Sequence, residues 1–469
     1  MKRSRNFMYG LAKLTAEVYV RGTMDRAVIA CNRFGLGAKD KELQLAQPDP
    51  VGWLKKQYQS DIIQEFSISQ PTANVIMAKT ASYREQTQQA KKNQTSVEDI
   101  QKIRKEGSQF ARQTYRDYCG DSLMASINSS NSAKHRLLEF FSNHFSVSVT
   151  NPLMRALAPT LEKEAILPHL DGTFEQMLLA VEQHPAMLIY LNNERSFGPN
   201  SRIGLKRKKG LNENLAREIL ELHTLGVDGG YSQSDVTELA KGISGWSVSA
   251  KSRSGFLFRK YGHEPGKRQL LGRSYSQQGE AQGTLMLRDL ARHPNTAKHL
   301  SYKLARHYIK DTPPPELVKS LSESWLASDG DIHKVMLTLI SHPEAWQSAS
   351  KFKTPREYVV STARAVPNSK LTERRALTSL NQLGQMPFTS GSPQGFSDLE
   401  MSWMGGSSLL TRADWANTYA KQSKADVNQV MKVAFNQQLT PDNKQRILRA
   451  ESRPQALTLL LMSPEFQRR

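Results

Sequence analysis

Leu211-Asn212-Glu213-Asn214-Leu215-Ala216-Arg217-Glu218-Ile219-Leu220-Glu221-Leu222-His223-Thr224-Leu225-Gly226 decides the fold class. At about 100° per residue the run sorts into two faces. Leu211, Leu215, Ile219 and Leu222 share an apolar face, and Asn214, Arg217, Glu218 and Glu221 share a polar stripe. Gly226 is placed to end the helix, because a helix most often stops on a residue in the left-handed region. Asp228-Gly229-Gly230 supplies turn chemistry, and Gln233 to Lys241 reads as the next helix, with Ser232 or Ser234 as its N-cap.

Outward from this pair, helical periodicity dominates and strand-like alternation is hard to find. Val51 to Tyr58 reads as a short amphipathic helix after the turn-rich Asn32 to Gly37. Tyr83 to Tyr118 reads as a long exposed helix or helical hairpin, broken near Asn93-Gln94-Thr95. Leu137 to Val181 is core helix. Asn192 to Gly210 punctuates the chain, Arg253 to Gly283 is a loop or small hairpin excursion, and Met386 to Asp398 interrupts the last helical block, Pro355 to Arg469. The expected architecture is all-α, with two or more packed helical subdomains and a few long loops. Residues 1–23 read as an amino-terminal extension to a helical domain over 24–469, subdivided near 192–210. Translation from Met24 is an alternative to Met1.

At 469 residues the chain exceeds the size at which one hydrophobic core stops growing. Its 64 Lys plus Arg against 44 Asp plus Glu give a net charge of +20, a field that attracts polyanions or acidic surfaces. The basic residues are scattered, with one cluster at Lys206-Arg207-Lys208-Lys209 and no nucleic-acid module, which argues against nucleic acid as the partner. Two cysteines, Cys31 and Cys119, make neither a disulfide framework nor a thiolate zinc site. No apolar run is long enough for a membrane span. Lys13, Glu17 and Arg21 interrupt what would be the apolar part of an export signal, so the sequence by itself reads as cytoplasmic. Phosphate-loop, His-Glu-x-x-His, Gly-x-Ser-x-Gly and dinucleotide signatures are absent from the sequence.

Two readings compete for the polar stripe. In the structural one Arg217 bridges Glu213 and Glu221 on a solvated surface, each pair contributing a few tenths of a kcal/mol. In the functional one Glu218 and Glu221, one turn apart, serve as metal ligands or base, oriented by Arg217 and Asn214. On a regular helix His223 lies roughly 160° from Glu221, so a histidine ligand would come from His144, His184, His263 or His293. His263, in a loop beside Glu264, is the catalytic candidate among them, with His144 as a second metal candidate. Asp228 could cap or coordinate. His184 and His293 each precede proline and are expected as helix caps. His144, between Phe141 and Phe145, is expected as a core histidine holding Asn143 and backbone groups.

Asn32-Arg33-Phe34-Gly35, Phe141-x-Asn143-His144-Phe145, His184-Pro185-Ala186-Met187-Leu188, Asn212 to Gly226, Gly245-Trp246 and His293-Pro294 stand in an order that resembles the bacterial family called domain of unknown function 1800. Lys353-Thr354-Pro355-Arg356-Glu357, Gly384 to Phe388, Gly395-Phe396, Trp403, Arg412 and Trp415 extend the resemblance over nearly the whole chain. Departures are mild, among them Ser142, Ser244, Glu264 and Asn295. The resemblance implies a fold and no reaction. It implies a periplasmic or secreted location and a partner related to sulfatases and alkaline phosphatases, encoded nearby. Three functions follow: an accessory or assembly factor beside a partner protein, a metal-dependent enzyme using Glu218 and Glu221, or a polyanion binder. A divalent metal is the only cofactor the residues suggest.

Overall fold

The computed structural model describes residues 25–67, 69–207, 210–347, 351–436 and 438–469. The extension expected over 1–23 lies outside them, as do Lys208 and Lys209 of the basic cluster. The protein is a mostly helical globular fold. Among the described residues the only strands are four short ones in two antiparallel hairpins, Trp246–Val248 with Phe256–Phe258 and Arg268–Leu270 with Arg273–Tyr275. These fill the excursion expected around 253–283. No helix among the described residues is long and apolar enough to cross a membrane.

Local signals set most helix ends. Asp49 caps Pro50–Gln59, whose first position is pre-set by proline. The expected helical hairpin is Ala73–Lys92 and Val97–Asn128, turned at Gln94 with φ 53° and restarted by the Ser96 cap, but its second helix carries buried residues from Ala111 onward. Ser232, not Ser234, caps Gln233–Gly242, and Asp235 completes a capping box. His184 and His293 do cap helices. The proline that follows holds each in extended backbone, so its Nδ1 accepts from the N–H two residues on, Ala186 and Asn295, both at 3.1 Å. His342 before Pro343 repeats the device on Glu344 at 3.3 Å.

Buried apolar side chains gather in two large clusters. One runs from Ile29 to Ala345 and contains Phe141, Phe145, Phe174, Leu215, Ile219 and Trp246. The other joins Tyr115, Cys119, Leu123 and Ile127 to Tyr358–Val366 and to the carboxyl-terminal helices. Helix Val97–Asn128 enters both, giving Ala111 and Ala125 to the first. Phe388 packs against both from the Met386 to Asp398 stretch.

Charged groups lie buried along this junction. Arg364 forks onto both oxygens of Glu42 at 2.9 Å and donates to the carbonyls of Gly37, Ser126, Ile127 and Ser129. Arg136 and Arg469 flank Glu357. Burial alone would raise that carboxyl, but Arg469 and Arg136 hold it well below the usual range.

Candidate functional site

The signature helix is shorter and less regular than its periodicity predicts. It begins at Asn214 with an α-helical turn, Asn214–Glu218, and continues as a π turn, Ile219–His223. The wider turn changes which residues face inward. Leu215, Ile219 and Leu220 are buried, Leu211 and Leu222 are half-buried, and His223 turns fully into the core. A π turn still sends residues two apart to nearly opposite sides, so Glu221 and His223 diverge as on a regular helix: His223 is buried and Glu221 is half-buried.

His223 is held at both ends of its residue. Its Nδ1 lies 2.7 Å from Glu182 Oε1, and both side chains are fully buried. Its carbonyl lies 3.2 Å from His144 Nε2, and Lys303 Nζ lies 2.9 Å from His144 Nδ1. Because Lys303 donates to Nδ1, the proton of His144 sits on Nε2 and is donated to His223. Burial, then Lys303, His223 and His299, push His144 well below its ordinary value, so it is neutral. His299 Nε2 reaches the Leu222 carbonyl at 3.3 Å, and burial first and Lys303 next bring it down to about 4. Gly226, with φ 86°, passes so close to this ring that an added Cβ would lie 2.7 Å from His299 Nδ1. Its N–H closes the helix on the Leu220 carbonyl at 3.2 Å.

The polar stripe faces the next helix. Arg217 meets Glu213 at 3.4 Å and Gln233 at 3.0 Å, and Glu213 accepts from Gln233 and Thr237 at 2.8 and 2.7 Å. The bridge from Arg217 is thus made to Glu213, and Gln233 takes the place expected for Glu221. Asn214 is exposed, with its N–H on Asn212 Oδ1 at 2.9 Å, and Asp228 is exposed in the turn. Glu218 and Glu221 are half-buried. Burial raises the Glu218 carboxyl, His223 opposes that and Glu221 adds to it.

The structure gives His263 different neighbours. Its Nδ1 shares a hydrogen bond with the Ser244 carbonyl at 3.0 Å and its ring lies against Phe258, while buried Glu264 binds Asn200 through both oxygens, at 2.9 and 2.6 Å. Trp246 is fully buried at the start of the first hairpin. Among the described residues no three His, Cys, Asp or Glu side chains are grouped to hold a metal ion. Asn143 does not pair with His144. It turns away to Phe396, because a helix places consecutive side chains about 100° apart.

That turn leads to a cleft of about 100 Å³ at the junction of the two cores. Helix Ser132–His144 contributes Glu139 and Asn143, helix Pro294–Tyr308 contributes His307, helix Pro355–Ala365 contributes Arg356 and Glu357, and the Met386 to Asp398 stretch forms the outer wall. Asp398 Oδ1 binds His307 Nδ1 at 2.8 Å, and Lys351 Nζ binds the Asp398 carbonyl. Burial would raise Asp398, but His307 and then Lys351 and Arg469 bring it down to about 2. Burial lowers His307 more than Asp398 raises it, so the ring is neutral with its proton on Nδ1. Buried His307 Nε2 makes no hydrogen bond among the described residues. Arg356 Nε pairs with Glu139. In the outer wall Phe388 has φ 58°, a conformation bulky side chains rarely adopt, held by the bond from Val149 N to its carbonyl at 2.9 Å.

Sequence reasoning missed His307, Asp398 and Glu139. No spacing links them, although Arg356, Glu357, Phe388 and Phe396 stand within runs that carry the family resemblance. The family described as Protein of unknown function (DUF1800) matches residues 29–468. The chain belongs to the DUF1800 family. In this DUF1800 chain the runs around Asn143 and Phe396 are hydrogen-bonded to each other, and His144 beside Asn143 meets the carbonyl of buried His223. No curated protein and no solved structure matches the chain.

Proposed function

We propose that this DUF1800 protein is an enzyme that carries out acid–base chemistry on a small polar ligand in the cleft. His307 accepts a proton at Nε2, and Asp398 holds the ring in the required tautomer. The observation that carries this reading is the Asp398–His307 pair, 2.8 Å apart at Nδ1, on a ring that lines the cleft and whose buried Nε2 makes no hydrogen bond among the described residues. A carboxylate-oriented neutral imidazole is the usual form of a general base. Glu218 and Glu221 do not line the cleft, and this reading gives them no part in the proton transfer.

The test pairs wild type with His307→Gln against a panel of small hydroxylated and amine compounds, followed by NMR of the mixture. Wild type should convert at least one compound and the equally folded variant should leave it intact. Conversion undiminished in the variant, or no conversion together with no shift of the His307 ring resonances, would remove the proposal.

The accessory-factor reading has one supporting feature. Leu399 and Met401 are exposed beside the cleft wall, Met401 to 89%, an uncommon placement for large apolar side chains and a frequent mark of protein contacts. Co-purification with a sulfatase-related partner of the kind the family resemblance implies should be lost in Met401→Asp, and equal recovery would sink that reading.

A further inference from the structure

We infer that the cleft takes a neutral, hydroxyl-rich ring, a monosaccharide or the end of a glycan, an assignment of substrate class that rests on the acid–base reading of His307. The cleft is rich in acceptors. Glu139, Glu162, Glu357 and Asp398 all reach it, so a ligand that fits must bring donors.

Three of those carboxylates are already engaged, two by arginines and Asp398 by the neutral His307 ring with Lys351 and Arg469 nearby. Glu357 lies against Arg136 and, at 2.9 Å, Arg469. Glu139 holds Arg356, and Asp398 holds His307. A cationic ligand would gain an ion pair from Glu162 alone, whose Oε1 already accepts from Ser122 at 2.7 Å. An anionic ligand would meet four carboxylates and the one arginine on the wall, already engaged with Glu139. Neutral O–H groups suit both the acceptor inventory and the balanced charge.

The outer wall supplies the other half of the recognition. Phe388 and Phe396 line the cleft, and Phe388 does so from a left-handed backbone. Such strain persists only where the surroundings impose it, and it clusters at ligand contacts. A sugar ring carries apolar C–H faces between hydroxyl edges, so an aromatic face on one side and carboxylates on the other bind it as a unit.

Calorimetry and saturation-transfer NMR on the full chain decide this, with glucose, galactose, mannose and N-acetylglucosamine as neutral probes, putrescine as the cation and citrate as the anion. At least one sugar should bind, about tenfold more weakly to Phe388→Leu, with affinity restored in Phe388→Tyr. Binding of putrescine or citrate that depends on Phe388, or of no probe at all, would overturn the sugar assignment and leave the His307 reading to its own test. Sugar binding followed by turnover that His307→Gln leaves unchanged would uphold the assignment and remove the base.

Discussion

Asn143 grips the peptide of Phe396 from both sides, accepting from its N–H at Oδ1 (2.7 Å) and donating from Nδ2 to its carbonyl (2.9 Å). One side chain thereby fixes the outer wall of the cleft to helix Ser132–His144. Gly395 makes the approach feasible: its φ is 79°, and an added Cβ would lie 2.4 Å from the Asn143 carbonyl oxygen.

Asn143→Leu leaves both polar groups of Phe396 without this partner. Loss of two hydrogen bonds in a partly buried setting should cost about 1–3 kcal/mol, and hydrogen exchange should rise across 386–398 well before it rises in the helices. Protection unchanged in that stretch would show that the clamp does not hold the wall.

The His223–Glu182 pair offers a sharper contrast. Glu182→Gln keeps an acceptor for His223 Nδ1 and should be tolerated. Glu182→Leu strands a fully buried imidazole without its hydrogen-bond partner and should lose about 1–3 kcal/mol in urea denaturation. Equal losses in the two variants would mean that the charge, not the hydrogen bond, matters.

Acid should weaken the protein in two stages. His144, His299 and His307 have folded values lowered by burial, so the unfolded chain binds more protons between the ordinary value near 6.5 and the folded values, which for His299 is about 4. Stability is complete above about pH 6.5 and falls as pH drops toward 4. Asp398, ordinarily near 3.8 and folded at about 2, adds a second loss across that lower window. Denaturation at pH 7.5, 5.5 and 4.5 checks the first stage, and a flat profile would contradict the neutral, buried histidines.

Arg364 anchors the junction by a fork that a lysine cannot reproduce. Arg364→Met leaves Glu42 charged and buried and should cost about 3–5 kcal/mol. The double variant with Glu42→Gln should recover part of the loss, which a thermodynamic cycle measures directly.

The helical class was legible because period and caps agree: Ser232 with Asp235, Asp49 with Pro50, and the His-Pro pairs each fix a helix start within a few residues. The interior of the signature helix was not, since the expectation assumed a period of 3.6 and the π turn at Ile219 breaks it. The cleft was least legible. Glu139, His307 and Asp398 come from segments far apart in the chain, and each looks ordinary in its own surroundings. Only the recurrence of Asn143 and Phe396 in family-like runs hinted that their neighbourhoods matter.

Helix Val97–Asn128 works as a beam let into two rooms, with Ala111 and Ala125 in one and Tyr115, Cys119, Leu123 and Ile127 in the other. Neither room has a complete wall without it. Heating should therefore melt both in a single calorimetric transition, and neither half of the chain, expressed alone, would present the cleft.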